Sequence, residues 1–287
     1  MKEKDYITNT TIIIISYRSY KKIQNFLKNK PKKLNIIIIE NSDDDKINKL
    51  KNKNIKIFKQ PNKGISSSIN YACKKVKTKY FFHFSPDIII KNDDIKKIYN
   101  HARGLKDNFG AIGPRFMNVN SKSHKQSNMN FKLSKINAIH GSAMFIKLKN
   151  YYKIGKFDEN LFLFFEENDF CKRANKHKLF CYQVNDVKIK NSKNGSINYK
   201  NNKEKKNIEN IYTWHFIWSK FYFTKKHYGF LISILYFLPI ISRIIFRVSI
   251  YSLISSEKKD KYVIRLNGLI SSILGKKSYL RPKDIIL

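Results

Sequence analysis

The sequence is poor in acidic residues. Its 287 residues include 21 Asp and Glu against 58 Lys and Arg, which gives a formal net charge of +37 at pH 7. Such a positive field favours anionic partners such as nucleic acid, phosphorylated metabolites or an anionic membrane face. With 42% hydrophobic and 14% aromatic residues, the chain is nevertheless too apolar to be disordered. Length and composition indicate one substantial core with a smaller appendage, or two modest domains.

Cysteine is scarce as well. Cys73, Cys171 and Cys181 are odd in number and show no C-x-x-C spacing, which argues against a disulfide scaffold and against a structural zinc site. We expect three buried free thiols in a reducing compartment. Residues 1–6 also lack the apolar core of a signal peptide, so we expect the protein to stay in the cytoplasm.

Short apolar runs alternate with lysine-rich helical stretches up to about residue 94. The runs lie at residues 11–15, 35–39, 55–58 and 80–84. Their apolar character is continuous rather than alternating, which is typical of strands covered on both faces. Residues 19–28 and 65–76 have the composition and length of helices. This alternation predicts an α/β fold, Rossmann-like, with a mostly parallel sheet and flanking helices.

Polar side chains directly follow three of these apolar runs. These residues are Ser16, Tyr17, Arg18, Glu40, Ser85 and Asp87. Because the carboxyl ends of parallel strands meet at one edge of a sheet, where open α/β folds bind ligands, we expect a site there. Helix capping is the alternative role for Glu40 and Asp87.

A cluster of acids follows the apolar residues 162–165. Glu166, Glu167 and Asp169 fall within one helical turn. Clustered carboxylates raise one another's pKa, which suits a general base or a cation-dependent site. Two structural alternatives stay open: acids are favourable at the start of a helix, and Asp169 and Arg173 have the spacing of a helical ion pair.

Seven short motifs occur in order over roughly the first 195 residues. They are residues 12–18 (IIIISYR), 36–42 (IIIIENS), 62–64 (NKG, with Asn70), 84–87 (FSPD), 140–144 (HGSAM), 154–159 (IGKFDE) and 162–173 (FLFFEENDFCKR). Together they resemble glycosyltransferase family 2, and within it the bacterial rhamnosyltransferase-like members. The resemblance implies a GT-A fold and inverting transfer of a sugar from a nucleotide-diphosphate donor, such as dTDP-rhamnose or a UDP-sugar. The implied acceptor is a hydroxyl of a glycan or a lipid-linked acceptor in cell-surface polysaccharide synthesis.

The resemblance also implies roles for individual residues. On the donor side it points to Ser16, Tyr17, Arg18, Glu40, Asn62, Gly64, Asn70 and Ser85. Glu40 in particular would accept hydrogen bonds from the nucleotide base, and His140 and Gly141 would line the acceptor side. Asp87 matches the acid that reaches a divalent metal, Mg²⁺ or Mn²⁺. Glu167 aligns with the catalytic base, and we expect Glu166 and Asp169 to raise its pKa.

The chain departs from the family pattern near the expected metal. Ser85 replaces the first acid of the D-x-D motif, which leaves one fewer charged oxygen for a cation. The family often has a histidine after the catalytic helix, and residues 187–196 contain none. Asn191, Ser192 or a lysine that neutralises the diphosphate are the candidates for that place. We still expect a metal-dependent enzyme.

An apolar stretch at residues 229–256 dominates the C-terminal part. Arg243 and Arg247 interrupt it, and its longest uncharged piece, residues 228–242, is shorter than the ~20 residues needed to span a bilayer. We therefore expect it to lie in the interface of an anionic membrane, with both arginines towards lipid phosphates. A membrane span and plain packing against the catalytic domain are the alternatives.

These features predict two domains. Residues 1–207 would form the catalytic domain, and residues 208–287 a basic, aromatic and apolar helical region that associates with membranes. The polar residues 198–207 are a candidate linker. We expect a cytoplasmic enzyme that is peripheral at the inner face of the cell membrane.

Two other classes of function compete with this interpretation. The net charge permits a nucleic-acid-binding protein, but the lysines are spread along the whole chain and no nucleic-acid-binding signature occurs, so no nucleic acid is expected as a partner. The second rival is a degenerate transferase that acts as a membrane scaffold. Ser85 and the missing histidine are its support.

Overall fold

The computed structural model describes residues 5–28, 30–42, 44–117, 130–192, 195–199 and 201–281. The chain divides into two compact units. One, which we call the sheet unit, contains Met1–Asp158 and Glu167–Asn198. The other, the helical unit, contains Glu159–Glu166 and Tyr199–Leu287. The predicted functional division into residues 1–207 and 208–287 stays a prediction.

The sheet unit holds the nine strands of the described part of the chain. They are β1 (Thr10–Ser16), β2 (Asn35–Glu40), β3 (Ile55–Lys59), β4 (Tyr80–Phe84), β5 (Ile88–Ile89), β6 (Ile112–Phe116), β7 (Leu133–Ile136), β8 (Ala143–Lys147) and β9 (Cys181–Asn191). Their order in the sheet is β3-β2-β1-β4-β8-β6-β9-β5, with β7 paired to β9. Strands β3, β2, β1 and β4 are parallel, which confirms the predicted α/β arrangement. Beyond β4 the sheet is mixed, because β8 runs antiparallel to both β4 and β6.

Helices cover both faces of this sheet. They are α1 (Asp5–Asn9), α2 (Tyr20–Leu27), a 3₁₀ helix (Asp45–Leu50), α3 (Ile65–Cys73), α4 (Asn92–Gly104), α5 (Leu148–Ile154) and α6 (Glu166–Lys176), whose first residue is counted with the helical unit. Ile12 and Ile14 of β1 belong to one apolar core, and Ile13 belongs to a second. Both faces of β1 are therefore buried, which explains why successive isoleucines occur in this run instead of alternating apolar and polar residues.

One edge of the sheet gathers the ends of several strands. Ser16 at the end of β1 is in register with Glu40 at the end of β2. On the other side of β1, Ile14 pairs with Phe84, the last residue of β4. Because β8 is antiparallel to β4 and begins opposite Phe84, the residues just before β8 also lie at this edge.

The helical unit contains three long helices, α7 (Asn202–Tyr228), α8 (Phe230–Ile254) and α9 (Ser256–Ile273). Phe221, Phe237 and Leu269 form the centre of its core. The prediction of a linker at residues 198–207 was wrong for residues 202–207, which form the first turns of α7. The Asn201 side chain caps this helix by accepting a hydrogen bond from the backbone N–H of Glu204 at 2.8 Å.

Helix α8 leaves most of its apolar surface uncovered. Ser233, Phe237 and Ile244 are buried, whereas Leu231 is 77% exposed and Leu253 is 90% exposed. By length and composition alone, α8 is long and apolar enough to cross a membrane. An exposed apolar face of this size indicates contact with another apolar phase or partner.

Candidate active site

Glu40 is a fully buried acid at the end of β2. Its Oε1 atom accepts hydrogen bonds from the backbone N–H of Ser42, at 2.7 Å, and from the Ser42 hydroxyl. Burial raises the pKa of Glu40, and the nearby Ser16 and Ser42 hydroxyls lower it. Within the described residues, Glu40 Oε2 and Ser16 Oγ are buried without a well-aligned hydrogen bond. A buried acceptor of this kind is suited to a ligand that brings its own donor.

Ser42 joins the turn after β1 to the end of β2. The backbone N–H of Arg18 donates to Ser42 Oγ at 3.1 Å, and the same hydroxyl donates to Glu40. Arg18 has a positive φ of 53°, which is uncommon for a non-glycine residue. Its guanidinium lies 5.4 Å from the centre of the Tyr17 ring. Ser42 therefore links Arg18, after β1, to Glu40, at the end of β2, through hydrogen bonds.

Asn62 and Gly64 shape the turn that leads into α3. The Asn62 side chain accepts a hydrogen bond from the Gly64 N–H at 3.2 Å, and Gly64 has a φ of 94°, a conformation that favours glycine. Ser68 donates to the Gly64 carbonyl at 2.8 Å and accepts from Asn41 at 2.7 Å. These bonds tie the turn to the end of β2, beside Glu40.

Asn70 lies in α3 and connects it to the loop after α5. Its side-chain nitrogen donates to the Phe157 carbonyl at 3.0 Å, and its oxygen accepts from the Phe157 N–H at 3.2 Å and from the Tyr151 hydroxyl. The structure thus shows Asn70 as a tether. Its predicted role in the donor pocket stays a prediction.

Asp87 lies between β4 and β5 and is buried. Its backbone carbonyl accepts a hydrogen bond from the Ser192 N–H at 2.8 Å, next to the pairing of β5 with the end of β9. Burial raises the pKa of Asp87, and the positive charge of Lys22 lowers it. A cleft of about 590 Å³ is lined by Asp87, Ser192, Lys22 and Asn92, among other residues. Neither Glu40 nor Glu167 is among its described lining residues.

The oxygen atoms beside this cleft fit a hard divalent cation. Asp87 offers a carboxylate, and the Ser192 hydroxyl is buried and has no hydrogen-bond partner within the described residues. Mg²⁺ prefers oxygen ligands and uses one or two carboxylates together with substrate phosphates. No group of three His, Cys, Asp or Glu side chains that could hold a metal exists among the described residues. Asp87 and Ser192 could therefore provide two ligands of a cation, and the metal role of Asp87 stays a prediction.

His140 and Gly141 precede β8 at the same edge of the sheet. The Ser142 N–H donates to His140 Nδ1 at 3.2 Å, so the neutral imidazole carries its proton on Nε2. The ring stacks on Phe116 with 4.1 Å between ring centres. The Ser142 carbonyl accepts a hydrogen bond from the Ser85 N–H at 2.9 Å, which joins this segment to the loop that carries Asp87.

Glu167 lies in the first turn of α6 and is buried. Its Oε1 atom accepts a hydrogen bond from the Asn168 side chain at 2.8 Å. Burial raises the pKa of Glu167 to about 7, against the lowering effect of the backbone N–H groups of Glu167 and Asn168. We predicted repulsion by Glu166 and Asp169 as the cause. Burial is the largest cause instead, since the apolar surroundings disfavour the charged form.

Asp169 forms an ion pair with Arg173, which is the structural role that we gave as the alternative to a catalytic one. Its carboxylate accepts hydrogen bonds from Arg173 Nε at 2.9 Å and from a terminal guanidinium nitrogen at 2.8 Å, and Asp169 is fully buried. Arg173 also donates to the Ile154 carbonyl at 2.7 Å. This pair fixes α6 to the end of α5. A catalytic role for Asp169 or for the buried Glu166 stays a prediction.

Helix α6 packs against the segment that carries His140. Cys171, one turn after Glu167, interacts with the backbone of Ile139, the residue before His140. Hydrogen bonding with Cys181 and burial raise the pKa of Cys171, and the negative charge of Glu167 raises it further. All three cysteines are free and buried, as predicted. The face of α6 that bears Glu167 therefore adjoins the predicted acceptor side.

Sequence reasoning missed two residues at this edge, Ser42 and Lys22. Ser42 is the last residue of the motif at residues 36–42, so its position directly after the strand that ends in Glu40 could have identified it. Lys22 is one of 58 Lys and Arg residues, and nothing in its local sequence distinguishes it. Only the fold shows that it adjoins Asp87.

Comparison with known proteins gives a family match and a curated relative. The family model "Glycosyl transferase family 2" matches residues 11–158. The low-salt glycan biosynthesis hexosyltransferase Agl10 of Haloferax volcanii is 22% identical over 201 residues, which covers 62% of this chain and 65% of that relative. The chain therefore spans just under two thirds of the length of the curated relative that it matches.

Two solved structures share the fold. The mannosyltransferase PcManGT from Pyrobaculum calidifontis, in complex with GDP-Man and Mn²⁺, is 11% identical with a TM-score of 0.58, covering 94% of this chain and 88% of that chain. GalNAc-T7, in complex with UDP, GalNAc and Mn²⁺, is also 11% identical, with a TM-score of 0.51, covering 64% and 44%. These likenesses confirm the predicted GT-A type of α/β fold.

Proposed function

The chain belongs to glycosyl transferase family 2, and we propose on that premise that it transfers a sugar from a nucleoside diphosphate donor to an acceptor hydroxyl with inversion. One observation carries the proposal. The edge of the sheet that holds Glu40 also holds the Asp87 loop and the His140 segment, and the latter contacts the helix of Glu167. Acids from separate segments of the sequence thus share one side of the sheet unit.

Glu167 is the proposed general base. An acceptor hydroxyl is a poor nucleophile, so a carboxylate must take its proton as the new bond to the anomeric carbon forms. A base with a pKa of about 7 is largely unprotonated at slightly alkaline pH and still binds a proton well. The glutamate is the longer of the two acidic side chains, so the acceptor oxygen would bind one methylene further from α6 than an aspartate would require.

Asp87 and Ser192 are the residues that would hold Mg²⁺ or Mn²⁺. When bound, such an ion stabilises the negative charge on the leaving diphosphate. Both similar structures contain Mn²⁺ together with a nucleotide or nucleotide sugar, which supports this role. Asp87 provides the negative charge for the cation, and Ser192 provides a neutral oxygen.

The proposed donor is a nucleoside diphosphate hexose or deoxyhexose. The family resemblance favours dTDP-rhamnose or a UDP-sugar, while the similar structures contain GDP-Man or UDP. The proposed acceptor is a glycan or a lipid-linked glycan in cell-surface polysaccharide synthesis. The curated relative is named for glycan biosynthesis, which supports this class of acceptor.

A thermal-shift screen of nucleotide sugars, with Mn²⁺ and with EDTA, tests the proposal. A donor that binds only the native state raises the melting temperature. A donor that gives a shift is then incubated with the protein, and its slow hydrolysis, with water as acceptor, is measured. Binding with hydrolysis supports an active transferase. Binding without hydrolysis would favour the degenerate scaffold, and the absence of any shift would contradict the proposal.

We further propose that the helical unit attaches the protein to the anionic inner face of the cell membrane as a peripheral protein. Leu231, Leu235 and Leu253 on α8 are at least 65% exposed. Arg243 and Arg247 are exposed on the same helix, as expected for a helix that lies among lipid phosphates. The net charge of +37 adds long-range attraction to an anionic surface.

A further inference from the structure

We propose that Lys22 supplies a fixed positive charge to the diphosphate of the donor beside Asp87, so that part of the affinity for a nucleoside diphosphate persists without a divalent cation. This inference rests on the proposed function. It adds a binding residue from α2, a helix in which we predicted no site residue from the sequence.

Lys22 lies where a phosphate-binding cation is required. It lines the same cleft as Asp87 and Ser192. The positive charge of Lys22 lowers the pKa of Asp87, which burial raises. Lys22 Nζ also donates to the carbonyl of Gly195 and, at 3.4 Å, to the carbonyl of Ile197. These two hydrogen bonds hold the Lys22 side chain against residues 195–197.

The partial burial of Lys22 strengthens its effect on a bound anion. Burial lowers the pKa of this ammonium and the charge of Asp87 raises it, so the carboxylate supports the charged form. A charge that is partly removed from water interacts more strongly with a phosphate than an exposed one. Hydrogen bonds between an ammonium and a phosphate are also among the strong ones.

The charges near Asp87 favour a role for the Lys22 ammonium group in phosphate binding. Ser85 stands where the family usually has a second acid, so Asp87 is left with fewer negative neighbours to hold a metal. The positive charge of Lys22 lowers the pKa of Asp87, and it reduces the repulsion between the Asp87 carboxylate and a bound diphosphate. Lys22 therefore supplies part of the positive charge that a diphosphate in this cleft requires.

A structural role is the competing explanation for Lys22. Its two carbonyl contacts tie α2 to residues 195–197, and Ser19 makes a similar tie, because its hydroxyl donates to the Ser196 carbonyl at 2.8 Å. Ser19→Ala therefore loosens the same segment without changing any charge. Lys21 precedes Lys22 on α2 and is exposed, so Lys21→Met makes the same change in net charge away from the cleft.

The experiment measures the binding of UDP, GDP and dTDP to the full chain by calorimetry, in EDTA and in Mn²⁺. In EDTA, we expect wild type, Lys21→Met and Ser19→Ala to bind one of these nucleotides with affinities within about twofold of one another. Lys22→Met should bind it about tenfold or more weakly, and Lys22→Arg should recover most of the affinity. Melting temperatures of all variants establish that each is folded.

Several outcomes would overturn the inference. Equal affinity of Lys22→Met and wild type in EDTA would do so, and so would an equal loss in Ser19→Ala, which would indicate a tether. Nucleotide binding by wild type in Mn²⁺ alone would overturn the role of Lys22 and leave the proposed function standing. No binding of any nucleotide under either condition would overturn both.

Discussion

The two units of the protein depart from ordinary burial in opposite ways. The sheet unit buries carboxylates: Glu40 and Asp169 are fully buried, and Asp87 and Glu167 nearly so. The helical unit exposes large apolar side chains along α8, among them Leu231 and Leu253. Charged groups are rarely buried unless paired, and extended apolar surface is rarely left in water. Both departures lower the stability of the chain in isolation.

The buried acids of the sheet unit differ in how the protein compensates their burial. Asp169 is compensated by Arg173 within the protein, so its burial needs no ligand. Glu40 keeps one oxygen without a well-aligned hydrogen bond within the described residues, and burial raises the pKa of Glu167. A buried polar group without full compensation indicates a binding or catalytic role. The exposed face of α8 is comparable, because its apolar side chains are likewise not compensated by contacts within the described residues.

Removing the charge of Glu167 should have the largest effect in the sheet unit. We expect Glu167→Gln to lower the rate of sugar transfer by ~10²–10⁴, because the amide cannot accept the acceptor proton. Donor affinity, measured by calorimetry, should stay close to that of wild type. Glu209→Gln makes the same chemical change at an exposed position of α7 and should leave the rate unchanged. Near-normal turnover in Glu167→Gln would remove Glu167 from the proposed mechanism.

The apolar face of α8 is tested by partition onto anionic vesicles. Leu231→Ser with Leu235→Ser removes two exposed leucines one turn apart, each worth ~1.5–3 kcal/mol when buried. We expect the double variant to bind about a hundredfold more weakly in high salt, where the electrostatic attraction is screened. Point substitutions are preferable to deletion of α8, because Phe237 and Ile244 of this helix belong to the core of the helical unit.

Ile270→Ser is the control for this experiment. Ile270 is 45% exposed but belongs to α9 rather than α8, so its substitution should leave vesicle binding within about twofold. Binding of the double α8 variant that equals wild type in high salt would show that the exposed face serves another purpose. Loss of all binding at high salt in wild type would point to electrostatic attachment alone.

The parts of the fold that depend on local sequence were predictable. The run at residues 80–84 was predicted as a strand and is β4, and residues 65–76 were predicted as a helix, of which Ile65–Cys73 forms α3. Apolar runs and helical composition are properties of neighbouring residues. The antiparallel β8 and the pairing of β5 with β9 join distant parts of the chain, and no local pattern specifies those partners.

In the candidate site, too, the positions that depend on single strands were predictable, and those that depend on the packing of helices were not. Glu40 and Asp87 follow apolar strands, so their common edge could be inferred from the sequence. The proximity of Lys22 to Asp87 and the burial of Glu167 depend on how helices pack on the sheet. Sequence spacing led us to attribute the raised pKa of Glu167 to its acidic neighbours, whereas burial is the larger cause.

The pH dependence of transfer follows from that burial. Glu167 must be ionised to accept a proton, and its pKa of about 7 means that the ionised fraction falls as the pH is lowered through this value. We expect kcat/KM to decrease about tenfold per pH unit below pH ~7. An ordinary glutamate would place this limb near pH ~4.3. A profile that is flat between pH 5 and 8, measured with saturating Mn²⁺, would contradict the assignment of Glu167.

Ser42 gives the smallest expected effect and the sharpest test of Glu40. The Ser42 hydroxyl donates to the buried Glu40 carboxylate and accepts from the Arg18 N–H, so Ser42→Ala removes two hydrogen bonds and leaves the backbone N–H of residue 42 in place. We expect nucleotide affinity to fall about threefold to tenfold, because each such bond contributes ~0.5–1.5 kcal/mol and Glu40 loses part of its orientation. The loss should grow as the pH is lowered, since Glu40 without this donor takes up a proton more readily. An unchanged affinity at every pH would show that the nucleotide does not use Glu40, although Glu167 could still act as the base.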